Sequence, residues 1–261
     1  MLSLSVIITT LNEEKNIARC LRSVQGVADE VIVVDSASTD ATRAICASFG
    51  AKVFVRAWEG YAAAKNFAAS QAAHDFILSL DADEALGDEL RKSILAAKSR
   101  DCIGFFSFKR ITNYCGQWIR HCGWYPDIKL RLYDRRLARW EKPIHEQLAP
   151  WPDRIQLLEG HCLHYSYYTI AGHVQQANRF TDLTAQQAFA EGRRSGWLKI
   201  VVSPWFKFFK SYILQLGFLD GYRGFVISRI SAYAVFVKYA KLRELERESN
   251  DSQSSTLRRA A

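Results

Sequence analysis

Short apolar runs alternate with segments of helical periodicity through the first hundred residues. Strands are predicted at residues 4–9, 30–34, 52–55 and 76–80. Helices are predicted at residues 12–24, 40–49 and 61–73, the second with Asp40 as its N-cap and Gly50 as its stop. Because strands separated by helices form βαβ units, the pattern predicts a parallel sheet with helices on both faces.

The composition and the spacing of apolar residues change twice in the rest of the chain. Residues 101–168 are rich in Gly, Pro, Trp and Tyr, and short strand patterns such as GFFSFKR and KLRLYD predict a second half on the same sheet. From about residue 170 apolar residues recur at helical spacing. We therefore expect an α/β domain over residues 1–168, a helical region over 169–247 and a disordered polar tail over 248–261.

Three polar clusters follow predicted strands: TLNEE after the first, DSASTD after the second and DADE after the fourth. Ligands of parallel sheets bind beyond the carboxyl ends of the strands. The three clusters should therefore meet along one rim.

The DADE cluster places three acids in four residues at the end of a buried strand, where like charges repel and desolvation is costly. In extended backbone, Asp81 and Asp83 share one side and Glu84 faces the other. Two such carboxylates suit Mg²⁺ or Mn²⁺. The alternative is a solvated helix start, since GDELRKSI follows and acids favour a helix N-terminus. Because the cluster follows a buried strand that is the fourth in the βαβ series, we favour a metal site over the helix start.

The second cluster begins at Asp35, whose carboxylate at a strand end can accept hydrogen bonds from a ribose or a base. Residues 38–40 are interpreted as mostly turn and cap residues. No GxGxxG motif is present, which argues against a dinucleotide site.

Composition indicates a globular protein, with 49% hydrophobic and 24% charged residues. The six cysteines form no CxxC pair, so we interpret them as reduced thiols of a cytosolic protein. Cys115, His121 and Cys122 match no common zinc spacing. No signal peptide is evident, and the apolar segment 225–240 is too short and too charged for a membrane span.

The net charge of +8 is concentrated late in the chain, where residues 193–247 hold eleven Lys and Arg against three acids. Aromatic residues accompany them, which is typical of helices lying in a membrane interface. A packed aromatic bundle with a solvated basic face is the alternative. A nucleic-acid partner is not expected, because no RRM, KH or helix-turn-helix signature is present.

Taken in order and spacing, the motifs SVIITTLNEEKNI, VIVVDSASTDAT, AAAKNFA and ILSLDADE resemble family 2 glycosyltransferases, which are inverting enzymes of GT-A fold. The resemblance continues through WYPDIKLRLYDRR, PIHEQL, HCLHYSY and GFLDGYRGF. This fuller set resembles bacterial lipopolysaccharide inner-core β-1,4-glucosyltransferases.

The resemblance implies roles for individual residues. It implies nucleotide-sugar contacts at Thr10, Asn12, Glu14, Asp35, Lys65 and Asp81. It implies a divalent metal on Asp83 and Asp81, with His164 as a third ligand or a core histidine. Glu146 is the predicted general base, where many family 2 enzymes have an aspartate, and Asp127 or Asp134 is the alternative base. His145 beside it would orient Glu146 or contact the donor phosphates. Trp124, Asp127 and Arg131 are candidate acceptor contacts, with simple packing as the alternative for Trp124.

These expectations describe a cytoplasmic enzyme, peripherally bound to the inner membrane, that transfers glucose from UDP-glucose to a lipopolysaccharide core heptose. A polyprenyl-phosphate glycosyltransferase is one alternative, because a phosphate acceptor needs no general base. A non-catalytic nucleotide-sugar-binding membrane protein is another. A nucleotidyltransferase is disfavoured, since TLNEEKN lacks the Gly- and Arg-rich loop of that class.

Overall fold

The computed structural model describes residues 2–100, 104–141 and 146–260, with side chains described as far as residue 249. The chain divides into two compact units. The sheet unit comprises Met1–Thr112 and Pro126–Ser166, and the helical unit comprises Asn113–Tyr125 and Tyr167–Ala261. Residues 113–125 therefore group with the later helices, whereas the sequence places them in the α/β domain.

Strands and helices follow each other closely along the chain. The strands are β1 (Leu4–Thr10), β2 (Glu30–Asp35), β3 (Lys52–Val55), β4 (Phe76–Asp81), β5 (Glu84–Leu86), β6 (Phe105–Tyr114), β7 (Gln117–Ile119), β8 (Asp127–Asp134), β9 (Arg139–Glu141), β10 (Gln147–Ala149) and β11 (Ile155–Tyr167). The helices are α1 (Ile17–Val24), α2 (Thr42–Ser48), α3 (Tyr61–Ser70), α4 (Asp88–Ser99), α5 (Ile170–Ala190), α6 (Trp197–Phe209) and α7 (Gly221–Ala260). A π-helical turn (Lys210–Leu214) and a 3₁₀ turn (Gly217–Asp220) join α6 to α7.

The main sheet is mixed, with the strand path β3-β2-β1-β4-β8-β6-β11-β5. The first four strands on this path pair in parallel, as the βαβ pattern predicts. The later strands extend the sheet with antiparallel pairs, including β4 with β8 and β6 with β8. The prediction of an α/β fold with a C-terminal helical extension is confirmed.

Helices cover both faces of the parallel strands, because successive side chains point to opposite sides. Val6 and Ile8 of β1 lie in one core cluster with Ile17 of α1. Ile7 lies in the other cluster with Ala68 of α3. The sheet is thus a buried central layer between two sets of helices.

The first helix begins at Ile17, five residues later than predicted from residue 12. The backbone of Asn12 is left-handed, with φ of 55°, and residues 12–14 donate their N–H groups to the side chains of Ser38, Thr42 and Asp40. A left-handed residue does not fit a right-handed helix, so Asn12 stands outside α1. The predicted helix start is wrong because the loop after β1 is tied to the loop after β2.

The helical unit contains an aromatic cluster around His173 of α5. Its ring packs against Tyr114, Trp124 and Tyr167 at centroid distances of 5.3, 5.8 and 4.5 Å. Its Nδ1 lies 3.1 Å from the Tyr114 hydroxyl. Burial lowers the pKa of His173 to about 4.

We expect the stability of the protein to fall as the pH drops from about 6.5 towards 4, and to fall less in His173→Gln. An unfolded histidine takes up a proton near pH 6.5, whereas folded His173 stays neutral down to about pH 4. The unfolded chain therefore binds more protons in this window, so stability rises with pH across it. Urea unfolding of both proteins at pH 7 and pH 4.5 measures the difference, and equal losses would contradict it.

The C-terminal helix α7 runs to Ala260, through residues for which the sequence predicts a disordered tail. It packs on α5 through Leu242, which contacts Ala185 and Ala188. Across the described ranges, none of the helices is long and apolar enough to span a membrane. The five described cysteines carry free thiols, and Cys102 lies outside the described residues.

Candidate active site

The three polar clusters meet at one rim of the sheet unit. Parallel pairing sets Thr10 of β1 beside Asp35 of β2, and Thr9 of β1 beside Asp81 of β4. The prediction that the loops after these strands share one edge is confirmed. The chemistry of the rim then depends on what each polar side chain contacts.

Asp35 is fully buried and holds the loop that follows it. Its Oδ1 accepts a hydrogen bond from the Ser38 backbone N–H at 2.8 Å, and its Oδ2 accepts one from the Ser38 hydroxyl at 2.5 Å. The Ser38 Oγ in turn accepts the Asn12 N–H at 2.8 Å. The interpretation of Ser38 as a structural turn residue is confirmed, and Asp35 is itself part of that turn.

The other predicted nucleotide contacts on these loops also have protein partners. The Asn12 Oδ1 accepts the Thr39 N–H at 2.8 Å, and the Glu14 Oε2 accepts the Ala41 N–H at 3.1 Å. Asp40 Oδ1 accepts the Thr42 N–H at 3.0 Å, but α2 begins at Thr42 with Ala41 as its N-cap, so the prediction of Asp40 as the N-cap is wrong. Thr10 differs, since its buried hydroxyl has no hydrogen-bond partner among the described residues. A bound ligand is one way to satisfy such a group.

Asp81, at the end of β4, faces two buried cations. Its Oδ2 accepts a hydrogen bond from Arg131 Nη2 at 2.8 Å, and its Oδ1 lies 3.1 Å from Lys65 Nζ. Burial alone would raise the pKa of this carboxyl, but Arg131 and Lys65 outweigh it and hold the pKa well below its usual range. Asp81 is therefore a carboxylate throughout the physiological range.

Lys65 links this strand end to Glu146. Its ammonium donates a hydrogen bond to Glu146 Oε1 at 2.7 Å while it remains within 3.1 Å of Asp81. Arg131 Nη1 is 3.8 Å from the same Glu146 oxygen, and both cations lie over the Trp140 ring. Residues that are far apart in the sequence thus form one charged cluster, with Lys65 completely buried.

Asp83 points to a different partner, His164 of β11. The His164 Nε2 lies 3.0 Å from Asp83 Oδ2, and its Nδ1 lies 3.2 Å from the Thr112 hydroxyl. Burial would lower the pKa of His164, but the Asp83 carboxylate outweighs this and raises it. The imidazole is thus held beside Asp83, which is the pair that the resemblance implies for metal binding.

Glu84, the third acid, is structural. Its Oε2 accepts the Asp81 backbone N–H at 3.0 Å and its Oε1 pairs with Arg110 at 2.9 Å. Arg110 also donates to Asp127 Oδ2 at 2.8 Å, and Lys129 lies 3.0 Å from the other Asp127 oxygen. The pKa of Asp127 is lowered, since these cations outweigh its burial.

The backbone of the DADE cluster turns at residues 82 and 83 and does not stay extended. The expectation that Asp81 and Asp83 lie on one side of a strand is therefore wrong, because Glu84 closes the turn by accepting the Asp81 N–H. The groups that balance the charge of the three acids also differ from the single metal ion that the sequence predicts. Each acid has a protein cation or a histidine beside it.

The rim offers few ligands for a divalent cation. The part of the chain that the structure describes contains no group of three or more His, Cys, Asp or Glu side chains placed to hold a metal. Asp83 and His164 together supply one carboxylate and one imidazole, a set that suits Mn²⁺ when other oxygens complete its shell. Asp81 fits less well, since both its oxygens face protein cations.

The remaining predicted residues belong to different units. Trp124 belongs to the helical unit, where it packs in the aromatic cluster, and Asp127 and Arg131 belong to the sheet unit. Arg131 is buried and directed at Asp81. His145 lies outside the described residues.

Sequence reasoning missed Arg110 and the role of Arg131 as the partner of Asp81. Both arginines stand inside apolar strand patterns, FFSFKR and KLRLYD, where a charged residue needs a buried partner. That pattern was the available signal. The pairing of Arg131 with Asp81 can be inferred only once β8 is known to lie beside β4.

We expect Lys65→Met to lower the free energy of unfolding by about 3–5 kcal/mol, because it leaves two partly buried carboxylates, Asp81 and Glu146, with one arginine between them. Lys52→Met is the matched control, since Lys52 pairs with Glu30 at the surface and is 61% exposed. Loss of the Lys52–Glu30 pair should lower the free energy of unfolding by about 1 kcal/mol or less. Urea unfolding of the two variants measures both values, and equal effects would refute the cluster's contribution to stability.

Comparisons with known proteins show the family of the chain. The model of glycosyl transferase family 2 matches residues 5–149. An uncharacterized glycosyltransferase of Rickettsia typhi is 34% identical over 263 residues, covering 96% of this chain and 90% of the relative. The chain belongs to glycosyl transferase family 2.

Membership of glycosyl transferase family 2 makes the chain a glycosyltransferase, and its helix-flanked sheet is the GT-A fold. The lipopolysaccharide core biosynthesis glycosyltransferase LpsC of Rhizobium meliloti is 28% identical over 255 residues, covering 92% of each chain. Among solved structures, the match to S. aureus TarS 1–349 covers 95% of this chain and 92% of that one at 16% identity, with a TM-score of 0.45. That likeness is too distant to inform function.

Proposed function

We propose that this family 2 glycosyltransferase moves glucose from UDP-glucose onto a heptose of the lipopolysaccharide inner core with inversion. The observation that carries the proposal is the cluster in which Lys65 contacts both Asp81 and Glu146. It sets a candidate base beside the strand end where the donor diphosphate is expected. The relative named for lipopolysaccharide core biosynthesis supports the acceptor class.

Glu146 is the proposed general base. As a carboxylate it only accepts hydrogen bonds, and its side chain keeps 15% of its surface exposed. Lys65 occupies Oε1 at 2.7 Å, so Oε2 is the oxygen we assign to the acceptor hydroxyl. Taking that proton as the hydroxyl attacks the anomeric carbon matches direct displacement, in which the leaving diphosphate departs on the other side.

The two alternative bases are poorer. Asp134 pairs with Phe76 at the start of β4, opposite the end that carries Asp81. Asp127 lies at the correct rim but is bound by Arg110 and Lys129. A carboxylate whose pKa is lowered in this way is a weaker proton acceptor.

Donor binding is assigned to the rim loops. Thr10 has a buried free hydroxyl, and Asn12, Glu14 and Asp35 stabilise the loops around it. Asp83 and His164 would hold a divalent cation, which when bound neutralises charge on the departing UDP. Lys65 and Arg131 remain beside Asp81 as fixed positive charges for the same diphosphate.

The test is a donor panel of UDP-sugars assayed by UDP release, with and without purified core lipopolysaccharide. We expect UDP-glucose to give the highest turnover, and turnover to depend on core that carries heptose. Transfer to a polyprenyl phosphate in place of core would replace the acceptor assignment. Absence of both transfer and UDP-sugar hydrolysis would refute the enzyme assignment.

We also propose peripheral association of the helical unit with the inner membrane surface, where the acceptor lies. Four side chains of α6 are more than 60% exposed: Trp197, Leu198, Trp205 and Phe206. Such an exposed apolar face next to basic residues suits a lipid interface.

We expect the protein to float with anionic vesicles at low salt and to float less at high salt. Each basic residue at such a surface contributes about 1 kcal/mol, and salt screens it. Flotation with phosphatidylglycerol and phosphatidylcholine vesicles measures the difference. Equal recovery on both would contradict the association.

A further inference from the structure

A groove between α6 and α7 lies outside the residues to which the sequence motifs give a role. It has a volume of about 990 Å³ and lies entirely within the helical unit. Cavities of this size accommodate whole small ligands.

The floor and walls of the groove are apolar and aromatic. They include Trp197, Ile200 and Trp205 of α6, and Tyr233, Phe236 and Ala240 of α7. Trp197 and Trp205 are each 69% exposed. Tryptophan and tyrosine favour sites that are apolar at one side and wet at the other, as at a membrane surface.

Charged residues mark the two ends of the groove. Arg229 lies near one end over the Phe208 ring, at 5.5 Å, and Arg243 and Arg247 lie at the other. Arg229 and Arg243 are fourteen residues apart on one helix, which corresponds to about 21 Å. Glu244 and Glu248 line the groove at the same end as Arg243 and Arg247, so the three arginines of the whole groove exceed its acids by one.

Arg243 and Arg247 are one helical turn apart, so both side chains reach the same side of α7. Two guanidinium groups at this spacing suit a phosphate group. The apolar stretch between them and Arg229 suits a hydrocarbon chain. The distribution of charge and apolar surface therefore matches a ligand with an anionic head and an apolar tail.

We propose that the α6–α7 groove binds one acyl chain of an anionic phospholipid, with the lipid phosphate on Arg243 and Arg247. This rests on the proposed membrane association and adds a defined lipid site to it. A lipid held in this way would anchor the helical unit more firmly than contact with the surface alone.

The test uses the full chain and dihexanoyl phosphatidylglycerol at concentrations below micelle formation, titrated by calorimetry. We expect saturable binding of one lipid per chain. Ala240→Trp should fill the groove and weaken binding at least tenfold. Ala234→Trp is the matched control on the same helix outside the groove lining, and should change affinity less than twofold.

A second pair of variants tests the head-group site. Arg243→Gln with Arg247→Gln should weaken phosphatidylglycerol binding about tenfold, and Lys238→Gln, outside the groove lining, should leave it unchanged. Binding that Ala240→Trp and Ala234→Trp reduce equally would overturn the site. Light scattering of the same variants detects a second copy of the chain as occupant, since a dimer lost only in Ala240→Trp would also overturn it.

The outcomes separate this inference from the proposed function. Flotation on anionic vesicles without binding of the monomeric lipid would keep surface association and overturn the groove. Lipid binding in the groove by a protein inactive in the donor panel would keep the groove and overturn the proposed transfer reaction.

Discussion

Glu146→Gln should lower turnover by about 10²–10⁴-fold, the usual contribution of a positioned general base. The substitution keeps the size of the side chain, and its amide oxygen can still accept the Lys65 hydrogen bond now made at 2.7 Å. What it removes is the ability to take a proton from the acceptor hydroxyl. Steady-state transfer of the variant and the wild type measures the effect.

Donor affinity is the control for this prediction. UDP-glucose binding should barely change, since the donor residues assigned above lie on the loops after β1 and β2 and at Asp81. Asp134→Asn is a matched carboxylate control at the opposite end of β4 and should keep its turnover. Near-normal turnover of Glu146→Gln would remove Glu146 as the base, and the transfer to a phosphate acceptor would then gain support.

A second readout separates a base from a residue that merely holds Lys65. If Glu146 only positioned Lys65, Glu146→Gln would raise the KM for UDP-glucose as Asp81 lost part of its counter-charge. A fall in kcat at constant donor affinity is the signature of a lost proton acceptor. The two roles are thus distinguished in the same kinetic experiment.

The parallel half of the sheet could be predicted from the sequence because its information is local. β1, β2 and β4 are apolar runs of about six residues that end in polar clusters, and each was found within one residue of its predicted bounds. Their common rim follows from parallel pairing alone. The predicted meeting of the loops after these strands depended on nothing else.

The partners of the acids could not be predicted in the same way, because they depend on long-range pairing. Arg131 meets Asp81 only because β8 lies antiparallel beside β4. Arg110 meets Glu84 and Asp127 from the next strand, β6. Lys65 was placed near the nucleotide by resemblance, yet its contact with Glu146 joins residues 81 positions apart.

The start of α1 shows where a prediction from local helix propensity fails. NEEKNI has good helical composition, and propensity alone extends the helix to residue 12. The side chains of Ser38, Thr42 and Asp40 accept the backbone N–H groups of residues 12–14. The left-handed backbone of Asn12 and these tertiary hydrogen bonds thus override local propensity at the rim.

Asp83→Ala should weaken Mn²⁺ binding in the presence of UDP at least tenfold while the fold stays intact. Asp83 is the acid of the cluster without a lysine or arginine contact among the described residues, and its neighbour is the histidine His164. A metal that completes its shell with diphosphate oxygens needs such an available carboxylate. Asp81, by contrast, is already neutralised by Lys65 and Arg131.

Calorimetric titration of Mn²⁺ into the protein with UDP measures this affinity directly, without relying on turnover. Asp127→Ala is the control, because it removes a carboxylate at the same rim that is bound by Arg110 and Lys129. Its Mn²⁺ affinity should stay within about twofold of the wild type, and urea unfolding should show both variants folded. Equal Mn²⁺ affinity in Asp83→Ala and the wild type would exclude Asp83 as a ligand. The cations Lys65 and Arg131 would then be left as the charges that stabilise the departing diphosphate.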